Sequence, residues 1–359
     1  MLIIDSHLDL SMNALQWNRD LFCSVHTIRT QEVGIPDRGQ GTVAYPEMRE
    51  GRVALSFATM IARCTGRPVP HIDYPTVAQA YGIAQGQLAY YRALERQGQV
   101  RIVAELSELD RHIAAWEAWD AAVEDSAGGP GQPPPLGFVI AMEGADPILE
   151  PDQLEEWWVA GLRVLGLTHY GPGRYAGGTA TELGLSDLCP ALLAEMERLG
   201  MILDLTHCSD QAFWQALERY HGPVLGSHQN ARALVPHQRQ WTDEQIQAVI
   251  QRDGVIGASC DVWMLKPGWV RGVVSNEGIT LETLADHIDH VCQLAGNSFH
   301  AAIGSDLDGG FGQNQSPQDL QTIADLQKLA GVLNARGYGA EDVRNIMYGN
   351  WVRLLRRSW

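Results

Sequence analysis

Short runs of apolar and β-branched residues recur along the chain without the alternation of polar and apolar positions that marks a half-exposed strand. Continuous apolar runs are typical of parallel strands that helices cover on both faces. Eight such runs lie at residues 2–4, 53–57, 138–142, 164–167, 202–205, 224–226, 255–258 and 301–304. The pattern therefore predicts eight parallel β-strands.

Helical signals lie between most of these runs. Residues 76–97 are amphipathic, and Ser209 is placed to cap a second helix. Thr242 and Gln245 have the spacing of a capping box, and Thr280 precedes a further helical pattern. Strand and helix alternating eight times predict an α/β fold, a (β/α)8 TIM barrel that forms a single domain over residues 1–359.

Two segments interrupt this alternation. Residues 18–50 follow the first strand and contain several glycines, and we expect them to form an extended loop over the barrel mouth. Residues 126–136 are rich in glycine and proline, as a linker between domains would be. Because this segment lies between a helix and the third strand, we interpret it as a surface loop on the far side of the barrel.

The charge of the chain limits its partners. With 26 Lys and Arg against 43 Asp and Glu, the formal net charge is −17 at pH 7. An acidic surface repels phosphate backbones and anionic membranes, so we expect no nucleic-acid or membrane partner. A small-molecule substrate or a cation fits better, and a homodimer is the one protein assembly that we consider.

Cysteine usage and the N-terminus bear on the compartment. Six widely spread cysteines without a C-x-x-C pair indicate reduced thiols. The chain has no run of about 20 apolar residues and no signal-peptide pattern at its N-terminus. We therefore predict a cytoplasmic protein.

The residues that follow the strands carry the chemistry. In a parallel barrel, all strand C-terminal ends face the same rim, where active sites form. Side chains that bind metals or transfer protons follow six different strands: Asp5, His7 and Asp9, then Glu143, His169, His207, His228 and Asp306. A lone histidine at a strand end is more often a hydrogen-bonded core residue. The occurrence of histidines and carboxylates together after six strands favours a metal site.

The types of donor indicate the metal chemistry. Imidazole and carboxylate without thiolate suit Zn²⁺ or a similar divalent ion used in catalysis, since structural zinc prefers cysteine. Five strong donors, His7, Asp9, Glu143, His207 and His228, suit two ions about 3.5–4 Å apart with a bridging carboxylate and a water of lowered pKa. Asp306 could then accept the proton of that water, and His169 could donate to a developing oxyanion. The pattern thus predicts metal-assisted hydrolysis.

Other histidines have weaker support. His287 and His290 lie three residues apart on a predicted outer helix, where a surface or interhelix role is favoured over metal binding. His237 lies in the loop after His228, and substrate contact is the less favoured role for it.

Seven tracts resemble the membrane (renal) dipeptidases, a dizinc branch of the amidohydrolase superfamily, over nearly the whole chain. These tracts are residues 5–10 (DSHLDL), 142–144 (MEG), 167–169 (LTH), 204–209 (DLTHCS), 226–232 (GSHQNAR), 286–290 (DHIDH) and 304–309 (GSDLDG). Their order and spacing make the resemblance specific. It implies a metal-dependent hydrolase barrel with the activity of a zinc metallopeptidase.

The resemblance also implies roles for individual residues. His7 and Asp9 would bind one zinc ion and His207 and His228 the other, while Glu143 and a hydroxide would bridge them. Asp306 would be the proton shuttle, and His169 would bind substrate and stabilise the oxyanion. Arg239 matches the family arginine that holds the terminal carboxylate of the substrate, although a solvated loop charge remains the alternative. Arg232 has the features of a structural residue.

Substrate choice remains open at this point. The tract at residues 259–263 (SCDVW) departs from the family stretch that contacts the substrate carboxylate, and the 18–50 segment is individual. We expect a dipeptide with a free C-terminal carboxylate, first of all L-Xaa-D-Xaa. The alternatives are an N-acyl amino acid or a lactam at the same metal site, a mononuclear deaminase, and a non-catalytic binding protein.

Overall fold

The computed structural model describes residues 1–67, 69–125 and 131–359. The strands of these residues are β1 (Ile3–Leu8), β2 (Val53–Ile61), β3 (Val100–Ile102), β4 (Leu136–Glu143), β5 (Leu162–Gly166), β6 (Ile202–Asp204), β7 (Val224–Gly226), β8 (Val255–Ala258) and β9 (Ala301–Ile303).

Eight of these strands form a closed parallel barrel in the order β2-β1-β9-β8-β7-β6-β5-β4. The barrel closes because β2 also pairs with β4, over a register that ends with Ile61 opposite Glu143. The first and last strands are neighbours, with Asp5 opposite Ile303. The predicted (β/α)8 TIM barrel is confirmed, and each of the eight predicted apolar runs contributes one barrel strand.

The strand that the sequence did not predict is β3. It pairs with the beginning of β4, where Val100 lies opposite Leu136, and it takes no part in closing the barrel. It is three residues long and its central Arg101 is exposed, so it has no apolar run to reveal it.

Helices surround the barrel and form the segments at its mouth. The α-helices are α1 (Leu10–Leu15), α2 (Val25–Gln31), α3 (Tyr45–Glu50), α4 (Val77–Arg96), α5 (Leu106–Asp125), α6 (Leu154–Val159), α7 (Cys189–Leu199), α8 (Asp210–Arg219), α9 (Asp243–Gln251), α10 (Val262–Leu265), α11 (Leu281–Ala295), α12 (Lys328–Ala335), α13 (Ala340–Arg344) and α14 (Asn350–Ser358). Short 3₁₀ turns cover Pro151–Gln153, Gln313–Gln315 and Ile323–Gln327, and a π-helical turn covers Asn345–Gly349.

The predicted helix starts are confirmed. Ser209 caps α8 and Thr280 caps α11, each by accepting a hydrogen bond from a backbone N–H of the first turn. Thr242 and Gln245 form the reciprocal capping box at the start of α9. Every residue of β2 and of β4 is buried, which explains why these strands show no alternation of polar and apolar positions.

The 18–50 segment differs from the extended loop that we expected, because it contains α2 and α3. Ser24 caps α2 by accepting a hydrogen bond from the backbone of Thr27. The segment is tied to the barrel rim by Asp308, which follows β9 and accepts hydrogen bonds from Arg19 and from the backbone N–H of Thr42.

The Gly/Pro-rich segment falls partly outside the described residues, which omit 126–130. The part that is described packs against α5 through Trp119, whose indole N–H donates to the Gly131 carbonyl. It leads directly into the start of β4, at the end of the barrel opposite the rim.

Two further sequence features can be compared with the structure. All six cysteines, each of which is described, are free thiols, as expected. Among the described residues, no helix combines the length and the apolarity that crossing a membrane requires.

Candidate metal centre

A cavity of about 190 Å³ lies at the rim, at the C-terminal ends of the strands. Most of the sequence-predicted site residues line it: Asp9, Glu143, His169, His207, His228, Arg239 and Asp306. His7 adjoins the cavity through its contacts with three of the carboxylates. The structure thus brings together all eight side chains to which the sequence assigns a role.

Glu143, the last residue of β4, lies at the centre of the cluster. Its Oε1 atom is 3.1 Å from His207 Nε2 and 3.3 Å from His228 Nε2. Its Oε2 atom is 3.6 Å from His7 Nε2. One carboxylate oxygen therefore faces each half of the cluster.

The half around His7 holds two further carboxylates. His7 Nε2 is 3.8 Å from Asp9 Oδ2 and 3.8 Å from Asp306 Oδ1. His7 Nε2 and Asp9 Oδ1 are buried without a hydrogen-bond partner in the described part of the chain. Buried polar atoms are nearly always satisfied, so these two atoms fit ligands of a cation.

A hydroxyl group lies beside the Nδ1 atom of each of three histidines. The distances are 3.4 Å from Thr59 to His7, 3.0 Å from Thr179 to His207 and 2.9 Å from Ser227 to His228. Thr179 also lies 3.3 Å from the His207 carbonyl, to which its hydroxyl can donate while it accepts from the ring. Such partners orient a metal-binding imidazole and leave Nε2 free for the metal.

Burial sets the protonation of these rings. It lowers the pKa of His207 and of His228 well below the usual value, with Arg239 and neighbouring rings adding to the effect. Both rings are therefore neutral, as metal ligation requires.

The His7 side of the cluster has a surplus of negative charge. Burial lowers the pKa of His7, but Glu143, Asp9 and Asp306 outweigh burial and raise it to about 10. Burial raises the pKa of Glu143 to about 7, although His7 opposes the shift. A divalent cation would neutralise the same carboxylates.

His169 has a different partner from the other rim histidines. Arg63 Nη1 lies 2.9 Å from His169 Nδ1, and because a guanidinium only donates, this nitrogen must accept. Burial and then Arg63 lower the pKa of the ring well below the usual value, so the neutral ring carries its proton on Nε2. His169 Nε2 lies 3.8 Å from Glu143 Oε1 and is therefore a hydrogen-bond donor at the cavity.

Asp306 lies in a strained turn after β9. Its φ of 58° is in the left-handed region, which costs free energy in a residue with a Cβ and is often found at functional sites. Burial raises the pKa of its carboxyl well above the usual value, and Glu143 and Asp9 raise it further against the opposing effect of His7. The turn needs Gly309, because a Cβ there would overlap Asp306 Oδ1.

Arg239 is buried, with 3% of its surface exposed, which excludes a solvated loop charge. Its Nη1 donates to Gln229 Oε1 over 2.5 Å, and its Nη2 donates to the His228 carbonyl over 3.0 Å. These bonds hold the guanidinium against the wall of the cavity.

Sequence reasoning assigned no role to several residues of the cavity wall, notably Tyr170, Asp261 and Trp263. Tyr170 directly follows His169, and the other two lie in the tract that departs from the family pattern. Burial raises the pKa of Asp261 to about 7, against the effect of its hydrogen bond from Gln315.

The remaining histidines have structural contacts. His287 Nδ1 accepts a hydrogen bond from the backbone of the loop after β7, and His290 pairs with Asp243 on α9. His237 Nδ1 accepts from the backbone N–H of Arg239, so it supports that residue. Arg232 pairs with Asp210, in keeping with the structural role expected for it.

Three overlapping groups could each hold an ion, with ligand atoms within 4.8 Å of one another: His7, Glu143 and His228; Glu143, His169 and His207; and His7, Asp9 and Asp306. The Nε2 proton of His169 makes it a poor ligand. The remaining imidazoles and carboxylates suit a divalent metal used in hydrolysis.

Comparison with known proteins gives a match over nearly the whole chain. The family model described as membrane dipeptidase, peptidase family M19, matches residues 1–358. The chain is 27% identical over 359 residues to dipeptidase aclJ of Aspergillus oryzae, covering 98% of this chain and 77% of that protein.

Solved structures resemble the chain along its full length. One is a dipeptidase AC described as a metallopeptidase of family M19, with a TM-score of 0.79, 24% identity and coverage of 100% of this chain and 99% of that one. Another is a metallopeptidase from Rhodobacter sphaeroides liganded with a phosphinate mimic of the dipeptide L-Ala-D-Ala, with a TM-score of 0.79, 23% identity and the same coverage. At these identities the likeness shows a shared fold.

Proposed function

Because the chain belongs to the membrane dipeptidase family, peptidase family M19, we propose that it is a zinc-dependent dipeptidase with two metal ions. It would hydrolyse dipeptides that have a free C-terminal carboxylate. The observation that carries the proposal is the position of Glu143, whose two oxygens face two different sets of donors.

Each half of the cluster would hold one ion. His7 and Asp9 would bind the first ion, His207 and His228 the second, and Glu143 would bridge them. When bound, such a pair of ions supplies a water of lowered pKa and polarises the substrate carbonyl.

Asp306 would act as the proton shuttle. Its carboxylate lies beside His7 and lines the cavity, and burial raises its pKa, which favours uptake of a proton. It would take a proton from the attacking water and return it to the leaving amine. General acid–base catalysis of this kind contributes about 10²–10⁴-fold to a rate.

His169 would stabilise the oxyanion. Arg63 holds its proton on Nε2, so the ring is a neutral donor aimed at the cavity. A donor that meets the negative charge developing on the carbonyl oxygen is worth about 10²–10³-fold in kcat.

Arg239 would bind the terminal carboxylate of the substrate. A guanidinium presents N–H donors in a planar arrangement that matches a carboxylate, and this one is held in place by Gln229. Its position in the cavity wall lets it contact a substrate carboxylate beside the metal ligands.

L-Xaa-D-Xaa stereochemistry is the first expectation. The structural relative from Rhodobacter sphaeroides is liganded with a mimic of L-Ala-D-Ala, which supports that dipeptide as the first substrate to assay.

The test uses the full chain, stripped of metal by a chelator and reconstituted with zinc. We expect two zinc ions per chain by elemental analysis, and release of D-Ala from L-Ala-D-Ala that depends on zinc. L-Ala-L-Ala and N-acetyl-D-Ala in the same assay test the stereochemistry and the N-acyl alternative. Zinc-loaded protein that cleaves neither dipeptide would contradict the proposal, as would one ion per chain with full activity.

A further inference from the structure

The cavity contains one carboxylate that the proposed function does not use. Of the four carboxylates that line it, Asp9 and Glu143 are assigned to metal ions and Asp306 to proton transfer. Asp261 has no such assignment. It lies three residues beyond β8, in the tract where the chain departs from the family pattern.

The Asp261 side chain is buried and held in place. Only 6% of its surface is exposed. Its Oδ1 accepts a hydrogen bond from Gln315 Nε2 over 2.7 Å and one from the backbone N–H of Trp263 over 3.3 Å. A carboxylate can accept about four hydrogen bonds, so Asp261 keeps capacity to accept a further donor.

The groups that donate to Asp261 are the Gln315 amide and the backbone and indole N–H of Trp263, and all of them are neutral. In the described part of the chain, no Lys, Arg or His nitrogen lies within 4.0 Å of its carboxylate. Burying a carboxylate is costly unless a charged partner compensates for the lost hydration.

Asp261 lines the same cavity as Arg239, proposed for the substrate carboxylate, and Asp306, proposed for proton transfer. Arg239 lowers the pKa of Asp261, and Asp261 raises the pKa of Asp306, so it is within electrostatic range of both.

Resting on the proposed function, we propose that Asp261 binds a positively charged group of the substrate. Arg239 would then bind the carboxylate of a zwitterionic substrate, while Asp261 binds its positively charged group. That group is either the α-ammonium of the N-terminal residue or an ammonium on the side chain of the C-terminal residue. An N-acyl amino acid with an uncharged side chain has neither.

The experiment compares kcat/KM of the zinc enzyme and of its Asp261→Asn variant on four substrates. L-Ala-D-Ala against N-acetyl-L-Ala-D-Ala tests the α-ammonium, and L-Ala-D-Lys against L-Ala-D-norleucine tests a side-chain cation. Asn keeps the shape and an acceptor for Gln315 but removes the charge. Asp187→Asn, which removes a charge from an exposed position, is the matched control.

We expect the wild type to prefer the charged member of at least one pair by about 10- to 100-fold, as a charged hydrogen bond would give. Asp261→Asn should abolish that preference and spare the uncharged substrate, while Asp187→Asn should change neither. Loss of the preference for free over acetylated dipeptide identifies the α-ammonium as the partner. Loss of the preference for lysine over norleucine identifies the side chain.

The outcomes separate this inference from the proposed function. If the wild type cleaves no dipeptide, the proposed function fails, and this inference fails with it. If it cleaves dipeptides without preference in either pair, only the role of Asp261 is overturned, and this holds even if the variant does not fold. A folded variant that loses activity equally on all four substrates would show that Asp261 is structural.

Discussion

Buried histidines at the two ends of the barrel have different partners. At the rim, His207 and His228 have hydroxyl groups beside Nδ1 and a carboxylate beside Nε2. At the opposite end, His112 Nε2 lies 2.8 Å from the Ala54 carbonyl, and His300 Nδ1 lies 2.8 Å from the Gly254 carbonyl. These carbonyls precede β8 or lie at the start of β2.

The difference indicates a separate role for the buried histidines at each end of the barrel. A carbonyl only accepts, so His112 must donate from Nε2, and it then serves as a fixed link between α5 and β2. Gly137 leaves space for this ring, since a Cβ there would overlap it. At the rim, the Nε2 atoms face a cavity and carboxylates instead. We therefore expect changes at the rim to affect chemistry and changes at the opposite end to affect stability.

The largest effect should come from Asp306→Asn, which keeps the shape of the side chain but removes proton transfer. We expect kcat to fall by about 10²–10⁴-fold while the zinc content stays at the wild-type level. Steady-state kinetics with elemental analysis of the same sample provide the measurement. Full activity in this variant would remove the shuttle role and weaken the contrast between the two ends.

The second largest effect should come from Arg239→Ala. The loss of charged hydrogen bonds to the substrate carboxylate should lower kcat/KM by about 10- to 100-fold, mainly through KM. Arg232→Ala is the matched control, because Arg232 pairs with Asp210. An unchanged KM in the Arg239 variant would count against carboxylate binding.

Thr179→Val tests the hydroxyl beside His207. Removing a partner that orients a metal ligand typically costs about 10- to 100-fold in metal affinity, which competition with a chelator can measure. Thr181→Val, two residues along the same loop, removes a hydroxyl that donates to the Gly178 carbonyl instead. Equal zinc affinities in the two variants would mean that the hydroxyls do not distinguish the rim histidines.

The smallest effect on chemistry should come from His112→Asn, at the opposite end. Burial lowers the pKa of folded His112 to about 4, below the usual 6.5, so protons bind the unfolded chain first as the pH falls. The stabilising contribution of His112 is therefore lost as the pH falls below about 6.5. We expect the stability difference between wild type and His112→Asn to shrink by about 2 kcal/mol between pH 7 and pH 5.

Urea unfolding at the two pH values measures this difference, and kcat at pH 7 should be unchanged in the variant. A difference that stays constant with pH would mean that His112 titrates normally. The buried ring would then be no different from an exposed one.

The parts of the fold that the sequence could predict are those in which burial determines residue type. All eight barrel strands contain an apolar run because helices or the barrel interior cover them, but β3 carries an exposed Arg101 and left no such signal. The short helix α2 contains β-branched residues of modest helix propensity and depends on the Ser24 cap and tertiary packing. Its existence could not be inferred from pattern alone.

The site residues likewise divide into those that the sequence could predict and those that it could not. Histidines and carboxylates at strand ends are rare enough to be noticed, and the structure brings them together. Thr179 and Ser227 are common residue types, and only the folded chain shows them beside particular ring nitrogens. Similarly, only the folded chain shows that Asp261 is buried in the cavity wall. Cytoplasmic location, a homodimer and the lack of nucleic-acid and membrane partners stay predictions from the sequence.

The pairing of β1 with β9 has a consequence for synthesis of the protein. Asp5 accepts hydrogen bonds from Ser305, 300 residues further along the chain. At about 5–20 residues per second, a ribosome needs roughly 15–60 s to make the intervening chain. During that time β1, which carries His7 and leads into Asp9, lacks one neighbour, so the nascent chain should complete the proposed metal centre only after release of the final strand.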